Sequence, residues 1–351
     1  MIPPPPPADS GRIRVLVADD SPIVREVLRD IMDRAPDIQI VGEATDGKRA
    51  LEMALSLKPD LLILDLAMPI MGGLRVLELL MIDSPRPVLV LSSFANKGSV
   101  SAIKALAVGA LEVMEKPLGI TEDEPMREFA EHLLEKVRSL SRIRVVARPR
   151  GGAPVQEGQT PRPTSSNISR VVAVGASVGG PAAVAKLLAG FARTVPAAFA
   201  VVQHIPAGFL AGFVDWLSGE TRLAVKVAAE GDRLMPGQVL VAPDQKHLEI
   251  RGEFAVLNDG PVVNYCRPAV DVLFKSVALS FGPRAIGVVL TGMGQDGAAG
   301  ILAIKQHHGV TLAESEDSCV VFGMPKAAIE TGKVDRVLPV TDMAREIQSM
   351  L

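Results

Sequence analysis

The chain has 351 residues, which is too long for one ordinary hydrophobic core and suggests two domains. Hydrophobic residues make up 48% and charged residues 22% of it, which excludes an intrinsically disordered chain, and a formal net charge of -3 gives no overall reason to expect nucleic-acid binding. The two cysteines, Cys266 and Cys319, lie far apart in sequence, predict neither a disulfide framework nor a zinc site, and fit a reducing cytoplasm.

No apolar run approaches the roughly 18 residues that a membrane span needs, and prolines stand where a signal peptide has its charged and apolar stretches. We therefore expect a cytoplasmic protein that is not inserted in a membrane. Residues 1–10 are predicted to be a disordered tail, in which the run Pro3–Pro7 favours polyproline II.

Residues 11–141 alternate five short apolar runs with longer amphipathic stretches. Strands that read as continuous apolar runs and are joined by helices are typical of a parallel sheet, so this half is predicted to be a doubly wound, flavodoxin-like α/β domain. The predicted strands are Ile13–Ala18, Gln39–Ala44, Leu61–Leu64, Val88–Leu91 and Leu111–Glu115. The predicted helices are Ile23–Arg34, Lys48–Leu57, Leu74–Ile82, Val100–Val108 and Met126–Leu140.

Residues 142–168 are rich in proline and arginine and predict a flexible linker that buries no core. A second parallel α/β pattern fills residues 169–351. Its predicted strands are Val171–Gly175, Ala198–Gln203, Val239–Ala242 and Ala285–Thr291, with a hairpin at His247–Leu257. Its predicted helices are Ala182–Phe191, Phe209–Leu217, Ala269–Ser280 and Gly297–His307.

Polar residues close four predicted strands of the first half. Asp19 and Asp20 follow the first strand, Asp65 follows the third, Ser92 the fourth and Lys116 the fifth. The carboxyl ends of parallel strands meet at one edge, where open α/β sheets bind ligands. Three carboxylates placed together need a cation, and their hard oxygens suit Mg²⁺. A hydroxyl and an ammonium beside them suit a phosphoryl group carried on Asp65.

These residues make Ile13–Ser141 similar to a response-regulator receiver domain. The resemblance implies that Asp65 is the phospho-acceptor. It also implies that Asp19, Asp20 and Asp65, with the backbone carbonyl of Ala67, hold Mg²⁺.

By the same resemblance Ser92 is the switch hydroxyl and Lys116 senses the phosphate. The chain departs from many receivers at Gly72, where an aspartate is common, and at Val113, where an aromatic switch residue is common. We expect the pocket chemistry to survive both departures, whereas the far face need not respond by aromatic rotation.

The run VVAVGASVGGP from Val171 to Pro181 predicts a strand, a sharp turn and a helix with Ser177 at the apex. Such a turn presents a hydroxyl beside helix N–H groups that can stabilise an oxyanion. Ser177 is therefore the candidate nucleophile.

A serine nucleophile needs a base and an orienting group. His204 ends the strand after the helix that follows Ser177, and Asp296 lies just beyond the strand Ala285–Thr291. All three fall at carboxyl ends of strands of one predicted sheet. Asp296 also has an alternative role as the N-cap of the following helix. The other histidines are poorer candidates because they lie on a charged helix face, in the hairpin or at a helix end: His132, His247, His307 and His308.

The order Ser, His, Asp disfavours an α/β-hydrolase. Over Val171–Pro339 the chain instead resembles the catalytic domain of chemotaxis protein-glutamate methylesterases. The matching blocks are GASVGG, VVQHIPAGF, CRPAVDVLFKSVA, LTGMGQDGAAG and VVFGMPKAA. Carried over by position, Ser177 is the nucleophile, His204 the general base and Asp296 its orienting partner.

Backbone N–H groups near Val178 and Met293 are the expected oxyanion donors, although Val178 stands where relatives commonly have threonine. Arg267 is the expected substrate contact. Cys266 is disfavoured as a thiol nucleophile, because the pattern places no base beside it.

The combined resemblance implies a hydrolase that removes glutamate methyl esters from chemoreceptors and deamidates glutamines. It would need no cofactor for the ester reaction, work as a monomer, take phosphate from a histidine kinase, and be blocked by the receiver until Asp65 is phosphorylated. Two alternatives stay open: a receiver-controlled serine peptidase, and a receiver fused to a nucleotide-binding module.

Overall fold

The computed structural model describes residues 11–92, 96–116, 124–143, 145 and 168–351. The predicted tail at 1–10 and nearly all of the predicted linker at 142–168 therefore lie outside the described residues. The chain divides into two compact units, Met1–Gly151 and Gly152–Leu351, called here the N-terminal and C-terminal units.

The N-terminal unit contains one parallel sheet of five strands in the order β2-β1-β3-β4-β5. The strands are β1 (Ile13–Ala18), β2 (Ile38–Ala44), β3 (Leu61–Asp65), β4 (Val88–Ser92) and β5 (Glu112–Glu115). The strand order reverses between β1 and β3, and ligands of such sheets bind at the carboxyl ends beside this reversal. The predicted flavodoxin-like fold of this half is confirmed.

Helices connect these strands: α1 (Pro22–Asp33), α2 (Gly47–Leu57), α3 (Gly73–Asp83), α4 (Asn96–Val108) and α5 (Glu124–Leu140). Local chemistry sets where two of them begin. The Ser21 hydroxyl accepts from the Val24 N–H at 3.4 Å, and the Asp46 carboxylate accepts from the Arg49 N–H at 3.0 Å. Both caps lie where the chain leaves the sheet, so α1 starts directly beside the strand end of β1.

The C-terminal unit has a parallel sheet of seven strands in the order β14-β13-β12-β6-β7-β9-β8 and an antiparallel hairpin of β10 and β11. The strands are β6 (Arg170–Ala176), β7 (Ala197–Gln203), β8 (Ala224–Val227), β9 (Gln238–Val241), β10 (His247–Arg251), β11 (Phe254–Asn258), β12 (Ala285–Val289), β13 (Val310–Glu314) and β14 (Arg336–Leu338). The chain runs outward from β6 on one side and later returns to its other side as β12, so the reversal lies between β6 and β12.

Six helices accompany this sheet: α6 (Gly180–Ala189), α7 (Leu210–Glu220), α8 (Val270–Phe281), α9 (Ala298–Gln306), α10 (Met324–Glu330) and α11 (Val340–Gln348). The side chains of β6 and β7 are almost all fully buried, and one face of α8 packs on them through Leu273, Phe274 and Val277. This core fixes the strand ends on which the site is built.

The elements missed from sequence are β8, β13, β14, α10 and α11. β8 and β14 are edge strands of four and three residues with half-buried or exposed side chains, so they lack a continuous apolar run. β13 is mostly buried and pairs with β12, but Thr311 interrupts its apolar run. No helix among the described residues is long and apolar enough to cross a bilayer.

Candidate active site and receiver pocket

Ser177 lies in the turn between β6 and α6, at the reversal of the C-terminal sheet. Its N–H donates to the Thr291 carbonyl at 3.0 Å, and its carbonyl accepts from the Gly180 N–H at 2.8 Å. Gly179 has φ 76°, a left-handed conformation that closes the turn at little steric cost because glycine has no Cβ. The hydroxyl is half-buried and makes no hydrogen bond to a described residue.

His204 follows β7 directly beside this turn. Ala176 pairs with Gln203 in the parallel ladder, and the His204 N–H donates to the Ala176 carbonyl at 2.9 Å. The buried Gln203 amide donates to the carbonyls of both Ser177 and His204, at 2.9 and 2.8 Å. Gln203 thus ties the two candidate catalytic segments together, a role that its position before His204 did not reveal in the sequence.

Asp296 contacts His204 through the Nε2 atom of the ring. The distance from Nε2 to Asp296 Oδ2 is 3.0 Å, and Asp296 is only 3% exposed. A neutral ring that donates from Nε2 keeps its lone pair on Nδ1. Nδ1 is therefore the atom of His204 that is left to accept a proton.

The alternative interpretation expected Asp296 to cap the helix that follows it, but the N-cap of that helix is Gly297. Asp296 accepts the N–H groups of Val270 and Asp271, the first residues of α8, at 2.7 and 3.1 Å. It also accepts from Gly297 N, the residue before α9, and from the Asn264 side chain. The carboxylate is thus held in place by a helix far from it in sequence.

Asn264 and Asp271 support Asp296 from the loop before α8 and from its first turn. The Asn264 amide donates at 2.9 Å to Asp296 Oδ1 and at 2.9 Å to Asp271 Oδ2. Asp271 is 4% exposed, and its other oxygen accepts from Gly297 N and Gly300 N. Neither residue carries a local sequence signal for this role.

Burial and hydrogen bonds shift the pKa values of His204 and Asp296. Burial disfavours the charged ring, but hydrogen bonds to Asp296 and Cys266 outweigh it and raise the pKa of His204 to about 9. Burial likewise opposes ionisation of Asp296, but His204 and the surrounding donors lower its pKa below the ordinary value. Asp296 therefore remains a carboxylate that orients the ring.

Cys266 lies beside the free nitrogen of His204. Its Sγ is 3.7 Å from His204 Nδ1, and the thiol is half-buried. The expectation that no base stands near this cysteine is therefore wrong. The sequence did not reveal the contact because Cys266 and His204 are 62 residues apart and lie on different elements.

Val178 and Met293 lie on neighbouring segments next to Ser177. The Thr291 hydroxyl donates to the Val178 carbonyl at 2.9 Å, which clamps the two segments together. A Cβ on Gly292 would lie 2.8 Å from Ser177 Cβ, so only glycine lets the Met293 segment approach the serine this closely. The N–H groups of Val178 and Met293 donate to no described residue, so both are available to a bound oxygen atom.

Glu314, at the end of β13, holds Thr291 in the position from which its hydroxyl reaches Val178. Its carboxylate is 1% exposed, accepts from the Thr291 N–H at 2.8 Å, and has a pKa raised by burial. Thr291 and Glu314 were both missed from sequence.

Arg267 lines an open cavity of about 200 Å³ together with His204 and Cys266. One end of its guanidinium is already used, since Nη1 donates to the carbonyls of Asp259 and Gly260 at 3.3 and 3.1 Å. Its Nε is buried without a partner among the described residues. The side chain is thus anchored at the cavity wall.

The other histidines make local contacts or lie at the surface of their own unit. His247 is 1% exposed and bonds the Ala269 N–H and the Pro261 carbonyl. His307 follows α9 as its C-cap, and His132 is exposed on α5.

In the N-terminal unit, Asp19, Asp65 and Lys116 meet at the reversal of the sheet. Lys116 Nζ lies 2.8 Å from Asp19 Oδ2 and 2.8 Å from Asp65 Oδ2. Burial raises the pKa of Asp19 and opposes the charge on Lys116, but the two carboxylates raise the pKa of Lys116 overall. The lysine thus occupies a pocket of opposite charge at the strand ends.

This pocket also fits a hard divalent cation. Asp19, Asp20 and Asp65 each offer a carboxylate oxygen within 4.8 Å of the others. Asp19 Oδ2 and Asp65 Oδ2 are buried and have no hydrogen bond to a described residue besides their ion pair with Lys116. Asp20 and Ala67 are exposed at the rim. Such an oxygen set suits Mg²⁺.

Ser92 ends β4, is 5% exposed, and pairs in the ladder with Glu115, the residue before Lys116. Val113 is fully buried in β5, so it does not offer a side chain that alternates between buried and exposed positions. Gly72 occupies the position before α3 with an ordinary extended backbone and makes no side-chain cap.

Known proteins match both halves of the chain. The family model described as CheB methylesterase matches residues 172–347, and that of the response regulator receiver domain matches residues 15–125. A protein-glutamate methylesterase/protein-glutamine glutaminase from Anaeromyxobacter dehalogenans is 41% identical over 96% of this chain and 97% of its own length. A protein of that name from Salmonella typhimurium is 40% identical over 96% of each chain. The crystal structure of the Thermotoga maritima CheB methylesterase catalytic domain covers 52% of this chain and 99% of its own, with 35% identity and a TM-score of 0.51.

Proposed function

Because the chain belongs to the CheB methylesterase family and carries a receiver domain, we propose that it hydrolyses glutamate methyl esters on chemoreceptors under the control of phosphorylation. The observation that carries the proposal is the buried His204–Asp296 pair, with a hydrogen bond of 3.0 Å, at the same sheet edge as the Ser177 turn. The catalytic domain would span residues 169–351, the receiver residues 11–141, and the linker residues 142–168.

In the proposed reaction the Ser177 oxygen attacks the ester carbonyl while His204 Nδ1 takes the serine proton. The C–O bond to the methoxy group then breaks, and methanol leaves with that proton. Water attacks the acyl-enzyme with its proton passing to His204, the Ser177–acyl bond breaks, and glutamate and the free serine are restored.

The ring must turn its lone pair from Cys266 toward the serine before this step. Catalytic hydrogen bonds are often absent in the free enzyme and form with substrate, so the missing Ser177–His204 bond is compatible with the proposal. The N–H groups of Val178 and Met293 would hold the oxyanion, and the anchored Arg267 would contact the substrate beside it. The same chemistry on a glutamine side chain would release ammonia, as in a glutaminase.

Control by phosphorylation would act through Asp65. Mg²⁺ held by Asp19, Asp20, Asp65 and the Ala67 carbonyl would neutralise the charge on an incoming phosphoryl group. Lys116 and Ser92 would contact the oxygens of the phosphoryl group on Asp65. We propose that the unphosphorylated receiver blocks the catalytic site and that phosphorylation releases it.

The proposed partners follow from these two activities. The substrate would be a methyl-accepting chemoreceptor and the phosphodonor a histidine kinase of the same array. We place this chemistry in the cytoplasm, on a monomeric enzyme that uses no cofactor for the ester reaction.

The test incubates the full chain with methylated receptors, with and without a small-molecule phosphodonor and Mg²⁺, and measures methanol. We expect methanol release that increases with the phosphodonor. Cleavage of the receptor backbone without methanol would instead identify a peptidase. If neither methanol nor cleaved receptor is formed, the result contradicts an esterase.

A further inference from the structure

His204 and Cys266 form a pair of ligand atoms outside the proposed reaction. Their Nδ1 and Sγ atoms lie 3.7 Å apart, and both side chains line the open cavity of about 200 Å³. Together with Asp296, their ligand atoms all lie within 4.8 Å of one another. The proposed ester chemistry requires the histidine of this cluster but not the thiol.

The separation matches one edge of a tetrahedral zinc site. Zinc binds histidine nitrogen at about 2.0–2.1 Å and cysteine sulfur at about 2.3 Å, so the two ligands of one ion stand about 3.6 Å apart. The observed 3.7 Å is close to that separation. An imidazole and a thiolate are also the donors that favour this borderline-soft ion over Mg²⁺.

Asp296 prepares the ring for coordination rather than acting as a ligand itself. Its Oδ2 accepts from His204 Nε2, and both of its oxygens are engaged by backbone N–H groups of α8 and of Gly297. Histidine ligands of zinc usually donate their second N–H to a carboxylate in this way. The contact therefore leaves Nδ1 as the ring nitrogen that lies beside the sulfur.

We propose that His204 Nδ1 and Cys266 Sγ bind a thiophilic divalent cation, of which Zn²⁺ is the best fit, and that the bound ion inhibits the hydrolase. The ion occupies the lone pair that must accept the Ser177 proton, so binding and general-base function exclude each other. The open cavity leaves its other coordination positions to water. The prediction from sequence that this chain holds no zinc site would then be wrong.

Cys319 is the internal control. It is 8% exposed, its Sγ faces the Glu314 carbonyl, and burial together with Glu314 raises its pKa far above the usual range. A thiol of this kind is a poor metal ligand. Any thiolate coordination to an added metal should therefore come from Cys266.

The experiment titrates the full chain with Co²⁺, a spectroscopic substitute for Zn²⁺, in buffer with excess Mg²⁺ so that the receiver carboxylates are occupied by the harder ion. We expect a thiolate-to-cobalt charge-transfer band in the wild type, in Cys319→Ser and in Ser177→Ala. The band should be absent in Cys266→Ser, and His204→Gln should weaken binding by at least about tenfold. A band of unchanged strength in Cys266→Ser, or no band in the wild type, would overturn the site.

Inhibition is measured separately as the ratio of methanol release with and without added Zn²⁺ in each protein. We expect Zn²⁺ to inhibit the wild type and Cys319→Ser, and a chelator to restore their activity. Cys266→Ser should need at least about tenfold more Zn²⁺ for the same inhibition. Equal sensitivity of Cys266→Ser would refute the inhibitory site. The cobalt band does not depend on ester hydrolysis, so its presence without methanol release would contradict the proposed function and leave the metal site standing.

A thiol-alkylating reagent gives a second measurement on unmutated protein, which removes any doubt about the folding of the variants. Zn²⁺ should slow the labelling of Cys266 at least about tenfold while Mg²⁺ should not. Labelling at the same rate with and without Zn²⁺ would overturn the proposal.

Discussion

Asp296 and Asp271 each cap the helix that begins beside the other. Asp296 accepts the N–H groups of Val270 and Asp271 at the start of α8, while Asp271 accepts those of Gly297 and Gly300 at the start of α9. These reciprocal hydrogen bonds join α8 to α9. They also fix the carboxylate of Asp296, the candidate orienting group, against the core. Catalytic geometry and stability are therefore linked at this point.

Asp271→Ala should destabilise the C-terminal unit. The change leaves the buried Gly300 N–H without its side-chain acceptor, while the Gly297 N–H keeps Asp296. The lost acceptor costs about 1–3 kcal/mol of unfolding free energy. Urea unfolding followed by circular dichroism measures the difference. Asp342→Ala is the matched control, because Asp342 lies in the first turn of α11 but pairs with the exposed Arg345, and its loss should cost under about 0.5 kcal/mol. Equal costs would contradict the capping role of Asp271.

Asn264→Ala should lower kcat by roughly ten- to a hundredfold while changing KM little. Asn264 is the neutral donor between the carboxylates of Asp271 and Asp296, and without it the orientation of Asp296 toward His204 loosens. Steady-state methanol release measures both constants. Asn258→Ala, which removes the hydrogen bonds of this side chain to Glu249 and from the Gly260 N–H, should leave kcat unchanged. A change confined to KM would place Asn264 in substrate binding instead.

Cys266→Ala should move the acid limb of the pH profile of kcat/KM to lower pH. Cys266 is one of the contacts that raise the pKa of His204 to about 9, so its removal lowers that pKa. The neutral ring accepts the serine proton, so a lower pKa leaves more of the active form at neutral pH. The ratio of kcat/KM at pH about 7 to that at about 9.5 should increase, measured in the presence of a chelator.

Cys319→Ala is the control for that profile, since Cys319 contacts Glu314 and not His204. The acid limb of the kcat/KM profile of Cys319→Ala should coincide with that of the wild type. A Cys266→Ala profile that also coincides would show that the thiol does not influence the ring.

Ser177→Ala should reduce methanol release to below about a hundredth of the wild type, because members of a catalytic triad contribute far more than that. Ser218→Ala is the control, since this serine bonds the Val214 carbonyl within α7 and is not part of the turn. A serine-directed fluorophosphonate should label the wild type and fail to label Ser177→Ala. Retention of more than about a hundredth of the turnover would refute the nucleophile.

Asp65→Asn should abolish the increase in methanol release caused by a phosphodonor, because the amide cannot form the acyl phosphate. A fragment of residues 169–351 should be more active than the unphosphorylated full chain and insensitive to the phosphodonor. Equal activity of fragment and full chain would contradict inhibition by the receiver, without affecting the proposed chemistry at Ser177.

The residues that end predicted strands were found from sequence alone. Buried strands read as continuous apolar runs, and parallel strands bring their carboxyl ends to one edge, so Asp19, Asp65 and Lys116 were expected together, as were Ser177 and His204. In the structure Lys116 contacts both Asp19 and Asp65, and the ladder sets Ala176 opposite Gln203, the residues that precede Ser177 and His204. Such residues are predictable because a local pattern and a general rule of sheet topology suffice to bring them close.

The tertiary structure alone decided what surrounds those residues. Asn264, Cys266 and Asp271 come from the loop before α8 and from its first turn, and they reach Asp296 and His204 across 25 to 62 residues of chain. No periodicity encodes such a contact, because it depends on how α8 docks against α9 and the sheet. That docking selects Nε2 of His204 for Asp296 and leaves Nδ1 beside the Cys266 thiol.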